Sequence, residues 1–467
     1  MTRNFLRALP LIALAASPAA CATQQSILAD AHPAIASEAG RINAPEAWTF
    51  GPKEDAVVVS AWSELIPDAA LNALIDEAMR NSPSLRASAE SVNRAQAFLR
   101  QAQASRLPSL SASLGANGGA PLEDGSFSES YSAGLSASWE ADLWGDIRAD
   151  LLATQFDVLN AHSVYRSARD ALAASVARSY IGAIEARRIT GLTEATLSAQ
   201  EETLRIVRTR YNLGAASRRE LVLSESDVAS ARDNLEVARA NETTTIMALQ
   251  ILLGRYPDGR LDIAEDLPDH AETLYAGTPE ALLQQRPDVL SSEFAALAAF
   301  AAKRSAETAR WPSLSLSAGL SSGALEIGDI FVPANMAYSL GARLAASLFD
   351  GGLSRARLDA ATASQRQAVA NYGQTVLNAY FDVETALQAI DTLQTRTPYI
   401  ETSAEAARET LRLAEVQYKE GAIDLLDVLT FRQRSFSADR SLISLERQQI
   451  EARIALYMAL GGTPTTE

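Results

Sequence analysis

The sequence RLPSLSAS at residues 106–113 recurs 204 positions later as RWPSLSLS at residues 310–317. A second matching pair, YNLGA at residues 211–215 and YKEGA at residues 418–422, lies 207 positions apart. This period is too long for a solenoid unit, because each copy contains several secondary-structure elements of its own. The chain is therefore predicted to be an internal duplication, with repeats over about 61–270 and 271–462 and a short tail at 463–467.

The repeated Ser-rich stretches open the first of two predicted β-strands in each copy. Apolar residues alternate there with small or polar ones, as Leu110, Ala112 and Leu114 alternate with Ser111 and Ser113. A period of two gives a sheet one apolar and one polar face. Such strands are long enough to cross a bilayer when tilted. The four strands are predicted at about 107–117, 130–141, 312–321 and 337–348.

Four strands cannot close a barrel, and an open sheet edge is not tolerated in lipid. If the strands cross a membrane, copies of the chain must therefore combine their strands. Arg343 falls on the polar side of the fourth strand by parity, so it is predicted to face the lumen. There it would either favour anions or pair with a neighbouring acid.

Long helical hairpins are predicted after each strand pair, at about 144–253 and 353–460. The first long helix of each hairpin is nearly free of proline, with Pro398 as the exception in the second copy. Gly214 and Gly421 fit helix ends in the left-handed conformation, and Asp424 fits the N-cap of a returning helix. Each repeat is thus predicted to join one hairpin of strands to one hairpin of helices.

The first twenty residues are typical of a secretory signal peptide. Arg3 and Arg7 precede a short apolar run, and small residues follow it. Cys21 lies directly at the cleavage region, which is typical of a lipid-modified first residue; the alternative is cleavage after Ala22, which would remove the cysteine. Residues 21–60 are predicted to form an extended leader.

Composition argues against several functional classes. The excess of 57 acidic over 41 basic side chains repels a phosphate backbone, so no nucleic-acid partner is expected. The three histidines are far apart, and no phosphate-binding loop or nucleophile elbow occurs. No catalytic site, cofactor or metal is therefore predicted.

Several stretches together resemble a known family. They are QRPDV at 285–289, WEADLWG at 139–145, LFDGG at 348–352 and the pattern from Tyr418 to Leu429 that includes DLLDVL. With these in order at duplicated spacing, the chain resembles the outer-membrane efflux proteins, the TolC-like channels, and within them the NodT-like lipoprotein branch.

The resemblance implies an α+β membrane channel in the outer membrane of a Gram-negative bacterium. Three chains would form a homotrimer with a twelve-stranded β-barrel embedded in outer-membrane lipid, and the helical hairpins would form a periplasmic α-barrel. The implied function is that of a passive exit duct without enzymatic activity. Its substrates would be delivered by an inner-membrane pump, expected to be proton-driven, through a periplasmic adaptor protein.

The resemblance also implies a gate at the periplasmic helix tips. The matching positions are Tyr418, Asp427 and Glu220, whereas Ile423 stands where family members can carry an arginine. Arg218 or Arg219 could replace that arginine by pairing with Asp424 or Asp427, and Leu426 could add an apolar constriction. The alternative is that the acidic residues form only a solvated face. Adaptor contact is expected at Leu213, Gly214, Ala215, Gly421, Ala422 and Ile423.

Two other functions remain open at this point. Within the same fold, the duct could serve protein secretion of type I instead of efflux of small substrates. A periplasmic coiled-coil scaffold would need no membrane strands, and the four alternating stretches argue against it.

Overall fold

The computed structural model describes residues 17–50, 62–120, 125, 127–270 and 276–462, with side chains from residue 23 onward. Most of the predicted signal peptide and the tail at 463–467 lie outside the described residues. Cys21 lies in a helix, but its side chain is also outside the described part, so its predicted lipidation stays a prediction.

The chain divides into two compact units that do not follow the repeats. One unit contains Glu90–Ser163 and Leu290–Thr375 together with the N-terminal residues up to Asn43. The other contains Ala44–Ala89, Val164–Val289 and the residues from Val376 onward. Each unit takes segments from both copies, so the predicted repeats are not separate compact domains.

The first unit contains a four-stranded antiparallel sheet in the order β1-β2-β3-β4. The strands are β1 Ser109–Gly119, β2 Ser128–Ala141, β3 Ser313–Ala324 and β4 Met336–Ala345. Their bounds lie within a few residues of those predicted. The β2–β3 pairing, with Leu135 opposite Leu320, joins the two copies. Within the described chain, β1 and β4 are the edges of the sheet.

The two faces of the sheet differ as the alternation predicts. On one face serine meets serine or glycine across the strands, and the hydroxyls of Ser109 and Ser138 are 2.7 Å apart. On the other face the leucines are exposed in the single chain, with Leu114 80% and Leu340 77% exposed. Large exposed apolar side chains in a row need a lipid or protein surface to cover them.

Two helical hairpins of equal dimensions follow the strand pairs. Hairpin 1 consists of α5 Asp146–Asn212 and α6 Arg218–Leu252, and hairpin 2 of α9 Leu353–Lys419 and α10 Leu425–Ala459. The long helices each have 67 residues and the returning helices 35, which confirms the duplication at the level of the elements. Helix α9 continues through Pro398. None of the described helices combines the length and apolar character needed to cross a bilayer.

The extended leader is a wrong prediction over its first half, because residues Ser17–Gly40 form a helix, α1. Ile27, Ala31 and Ile35 are buried at a spacing of four, which places them on one helical face. The Ala-rich composition supports a helix, and Pro33 within it obscured the pattern. The remaining helices are α2 Trp62–Leu65, α3 Ala69–Asn81, α4 Pro83–Ala104, α7 Pro279–Gln285 and α8 Pro287–Thr308.

Candidate gate and docking site at the helical tips

Both hairpins turn through the same backbone motif. Gly214 and Gly421 have φ angles of +74° and +78°, the left-handed region that glycine adopts without strain. The amide of Ala215 donates to the Arg210 carbonyl at 2.8 Å, and the amide of Ala422 donates to the Gln417 carbonyl at 2.9 Å. These bonds satisfy carbonyls at the helix ends as in a Schellman motif.

The tips predicted to contact an adaptor are largely exposed to solvent in the single chain. Leu213 is 77% exposed, and Ala215 and Ala422 are also exposed, whereas Ile423 is half-buried. A Cβ atom added at Gly214 or Gly421 would meet no heavy atom within 4 Å. Another backbone could therefore approach these turns closely. Adaptor contact itself stays a prediction.

Gly421→Ala should loosen the tip through backbone strain alone, because open space surrounds the added methyl group. We expect a local destabilisation of about 1 kcal/mol from the left-handed conformation. Hydrogen–deuterium exchange of the Ala422 amide should become faster. Gly182→Ala is the matched control, since Gly182 lies inside α5 with equal space and ordinary helical geometry. It should stabilise its helix; faster exchange at the tip in both variants would contradict the explanation.

Two of the predicted gate acids serve as helix caps. Ser217 and Glu220 form a capping box: the Ser217 amide donates to the Glu220 carboxylate at 2.7 Å, and the Glu220 amide donates to Ser217 Oγ at 3.2 Å. Asp424 is the N-cap of α10 and accepts from the Asp427 amide at 3.1 Å, which confirms its predicted capping role. The carboxylates of Glu220 and Asp424 are thus oriented by the backbone of the returning helices.

Tyr418 lies in a small apolar cluster next to the turn of hairpin 2. It is 7% exposed and shares the cluster with Val207, Leu425 and Val428. The guanidinium carbon of Arg210 lies 5.1 Å from the centre of the Tyr418 ring, within cation–π range. The Tyr418 hydroxyl is buried and has no hydrogen-bond partner among the described residues. A buried hydroxyl without a partner is costly, so it is suited to bond a group from outside this chain.

The remaining predicted gate residues point their groups to solvent. Leu426 is 59% exposed, and Asp427, Arg218 and Arg219 are exposed as well. In the part of the chain that the structure describes, no ion pair joins these arginines to Asp424 or Asp427. The predicted lock is therefore not made within one chain, and a lock between copies stays a prediction.

A buried charge cluster that the sequence analysis missed lies farther along the hairpins. The Arg432 side chain, 8% exposed, donates to the Glu415 carboxylate at 2.7 Å and to Thr203 Oγ1 at 3.1 Å. Asp227 lies nearby: burial raises the pKa of its carboxyl above the ordinary value, although the Arg432 charge opposes this shift. Arg432 therefore links helices α5, α9 and α10. In the sequence, the only indication of this cluster was that Arg432 and Glu415 stand 207 residues after Glu225 and Arg208, with the charges exchanged.

Arg343 lies where strand parity predicts, on the face of the sheet that bears serine and glycine. It is exposed and stands opposite Ser315. On the same face, Gly341 pairs with Ser317, whose hydroxyl would lie 2.8 Å from a Cβ atom at Gly341. That face is thus lined mostly by small groups, with Arg343 and Glu140, which both stand opposite Ser315, as large charged ones.

The sequence matches the family model described as outer membrane efflux protein over residues 74–255 and 278–462. The pyoverdine export outer membrane protein OpmQ of Pseudomonas aeruginosa is 33% identical over 436 residues, which cover 90% of this chain and 91% of that one. The cation efflux system protein CusC of Escherichia coli K12 is 28% identical over 412 residues, which cover 86% of this chain and 89% of that one.

Solved structures agree with these matches. The fold is similar to a crystal structure of CusC, with a TM-score of 0.80 at 26% identity, over 90% of this chain and 96% of that one. It is also similar to the open state of the MtrE outer membrane channel of Neisseria gonorrhoeae, with a TM-score of 0.81 at 28% identity, over 90% and 95%. Because the family model spans both copies, the chain belongs to the outer membrane efflux protein family.

Proposed function

We propose that this chain is the outer-membrane exit duct of a tripartite efflux system. The observation that carries the proposal is the sheet with an exposed leucine face and a serine–glycine face, continued in sequence by two long helical hairpins. Its family is one of outer-membrane efflux channels, which are not enzymes, and the protein belongs in the outer membrane of a Gram-negative bacterium. An inner-membrane pump and a periplasmic adaptor complete the system.

The assembled form is a homotrimer. Within the described part of one chain, β1 and β4 each have an unpaired edge, and lipid provides no hydrogen-bond partners for such edges. Three copies supply twelve strands, enough to close a barrel with the leucines towards lipid. The serine and glycine face, including Arg343, then lines the passage.

The passage closes at the helical tips. Tyr418 and Asp427 stand on either side of the turn of hairpin 2. The buried Tyr418 hydroxyl has no hydrogen-bond partner among the described residues. A second copy can provide it, together with an acceptor for Arg218 or Arg219. Leu426, exposed in the single chain, would narrow the aperture, and threefold-repeated carboxylates of Glu220, Asp424 and Asp427 would favour cations there.

Replacing Tyr418 by Phe and Asp427 by Ala in the same protein should weaken closure, because both polar groups of the proposed lock are removed while the aromatic ring stays. We expect a several-fold rise in the resting single-channel conductance in planar bilayers. Glu409→Ala is the control, since the exposed Glu409 pairs with Arg412 on its own helix turn. A resting conductance equal to that of the wild type would contradict a gate formed by Tyr418 and Asp427.

The adaptor docks at the two exposed turns, Leu213–Ala215 and Gly421–Ile423, where small residues permit close approach. The relatives are named for export of pyoverdine, cations and toluene. One duct fold thus occurs with chemically unlike substrates, which fits selection of the substrate by the pump. Type I protein secretion is the second candidate, but none of these relatives carries such a name.

The N-terminus is lipid-anchored at Cys21 in this proposal, with palmitate among the attached chains. Mass spectrometry of the mature protein tests this: an acylated N-terminal cysteine supports the anchor, and an N-terminus at residue 23 overturns it. The export function is tested in a cell that lacks its own duct. Expression of this chain with its adaptor and pump should lower dye accumulation, whereas unchanged accumulation would contradict the proposed function.

A further inference from the structure

Two ion pairs occur in both hairpins at positions 207 residues apart, with the charges exchanged. In hairpin 1, Arg232 of α6 pairs with Glu201 of α5 at 2.7 Å. In hairpin 2, the equivalent positions hold Asp439 and Arg408, which pair at 2.6 Å. The geometry of the pair is kept while both signs are reversed.

The second pair lies nearer the tips and shows the same reversal. Arg208 of α5 pairs with Glu225 of α6 at 2.9 Å. The equivalent residues in hairpin 2 are Glu415 and Arg432, which pair at 2.7 Å. The two pairs differ in burial: the side chains of Arg208 and Glu225 are 57% and 45% exposed, whereas that of Arg432 is 8% exposed.

Arg432 is buried because it enters the groove between the helices of hairpin 1. There its guanidinium donates to Thr203 Oγ1 at 3.1 Å and approaches the Ala199 carbonyl at 3.4 Å. Asp227 of α6 lies close enough for its carboxylate to interact with the Arg432 charge, and one of its carboxylate oxygens is buried without a hydrogen-bond partner among the described residues. One chain therefore shows what occupies this groove: a charged side chain from the other hairpin, facing the opposite charge.

Hairpin 2 has the equivalent groove, with a volume of about 540 Å³. Ala406 and Thr410 line it at the positions equivalent to Ala199 and Thr203. Arg434 stands where hairpin 1 has Asp227. Arg434 is exposed, and within the described residues it makes no ion pair, only a cation–π contact with Phe431 of its own helix at 5.8 Å. This groove thus has equivalent lining residues, with a positive charge where hairpin 1 has a negative one.

We infer that the groove of hairpin 2 receives Glu225 from helix α6 of a second copy of this chain, where Glu225 faces Arg434. The inference rests on the proposed homotrimer and specifies the contact between its copies. Glu225 is the equivalent of Arg432, so the contact between copies repeats the contact within one chain with both charges reversed. The guanidinium of Arg434 supplies donors for a carboxylate where hairpin 1 presents the Asp227 carboxylate to a guanidinium.

The reversal also decides which hairpins can be neighbours. If hairpin 1 of one copy lay in this way against hairpin 1 of another, Glu225 would face Asp227. If hairpin 2 lay against hairpin 2, Arg432 would face Arg434. Both arrangements place like charges together, which opposes them. Only alternation of the two hairpins around the ring pairs opposite charges at every groove.

Charge reversal tests the contact. Glu225→Arg and Arg434→Glu should each weaken the trimer about tenfold or more, because each places like charges in the groove. The double variant should restore most of the loss, measured as the trimer fraction by light scattering over a dilution series. Arg205→Glu is the control, since Arg205 is exposed and pairs with Glu202 of its own helix, and it should leave the trimer fraction unchanged. Two weakened single variants without restoration in the double variant would overturn the inference.

Crosslinking gives a second readout. Cysteines at positions 225 and 434, joined by a short bis-maleimide, should yield covalent dimers and trimers. Cysteines at positions 208 and 225 are the matched control and should crosslink within one chain, leaving a monomer in denaturing gels. Variants with only one of the two introduced cysteines show any crosslinking that involves the natural Cys21. A wild-type trimer without crosslinking from 225 to 434 would overturn the inference and leave the groove to the adaptor, whereas a wild-type monomer would overturn the proposed function as well.

Discussion

Leu340→Arg should prevent most of the protein from reaching its folded state in the outer membrane. Leu340 lies in the middle of β4, and its side chain is 77% exposed on the leucine face of the sheet. An arginine facing lipid near the bilayer midplane costs about 2–4 kcal/mol. The trimer recovered from the outer-membrane fraction, measured by quantitative gel analysis, should therefore fall well below the wild-type amount.

Ser339→Arg is the control for this variant, because successive residues of a strand face opposite sides. Ser339 stands opposite Gly319 on the face that also bears Arg343. We expect this protein to insert and to conduct less, since a large cation then narrows the passage. Normal insertion of Leu340→Arg together with failed insertion of Ser339→Arg would mean that the two faces are assigned the wrong way round.

Arg286→Ala is the substitution with the second largest expected effect. The Arg286 side chain is 7% exposed and donates to the carboxylates of Asp288 at 2.7 Å and Asp382 at 2.9 Å. It also donates to the Ala459 carbonyl at 2.8 Å, at the end of α10. One guanidinium thus joins the start of α8 to α9 and to the end of α10.

The carboxyl of Asp288 responds to the charge of this arginine. Burial opposes its ionisation, yet the Arg286 guanidinium holds the pKa of Asp288 below the ordinary value. Removal of the arginine takes one donor from Asp288, and it takes the Arg286 donors from Asp382 and the Ala459 carbonyl. We expect the free energy of unfolding to fall by about 2–3 kcal/mol. This is less than for a fully buried pair, because the side chains of Asp288 and Asp382 are 42% and 47% exposed.

Thermal unfolding in detergent, followed by circular dichroism, measures this loss. Arg286→Lys keeps the charge but not the planar fork of donors, so it should retain only part of the stability. Arg205→Ala, at an exposed pair, should leave the transition unchanged. An Arg286→Ala protein that unfolds at the wild-type temperature would show that the cluster does not stabilise the fold.

The fold was largely predictable because its determinants are local and occur twice. Alternation around Leu110 and Leu314 located β1 and β3, and the glycines at 214 and 421 located the turns. Helix α1 was missed because Pro33 interrupts its Ala-rich stretch and obscures the four-residue spacing of its buried positions. Local pattern is a weaker guide where tertiary packing decides the structure.

The site was predictable only in part, for physical reasons. Ser217 and Glu220 carry the spacing of a capping box, so the cap of α6 could have been recognised in the sequence. The contact of Arg210 with Tyr418 and that of Arg432 with Thr203 join residues more than 200 positions apart, and no local pattern indicates them. The proposed lock and groove contacts need a second copy, which a single chain does not contain.

The most direct test of the central claim, an outer-membrane duct built from three copies, is to size the detergent-extracted protein by light scattering and record the same sample in planar bilayers. The account predicts a trimer with a small resting conductance, because the sheet edges are paired between copies and the tips are closed. A water-soluble monomer without conductance would contradict it.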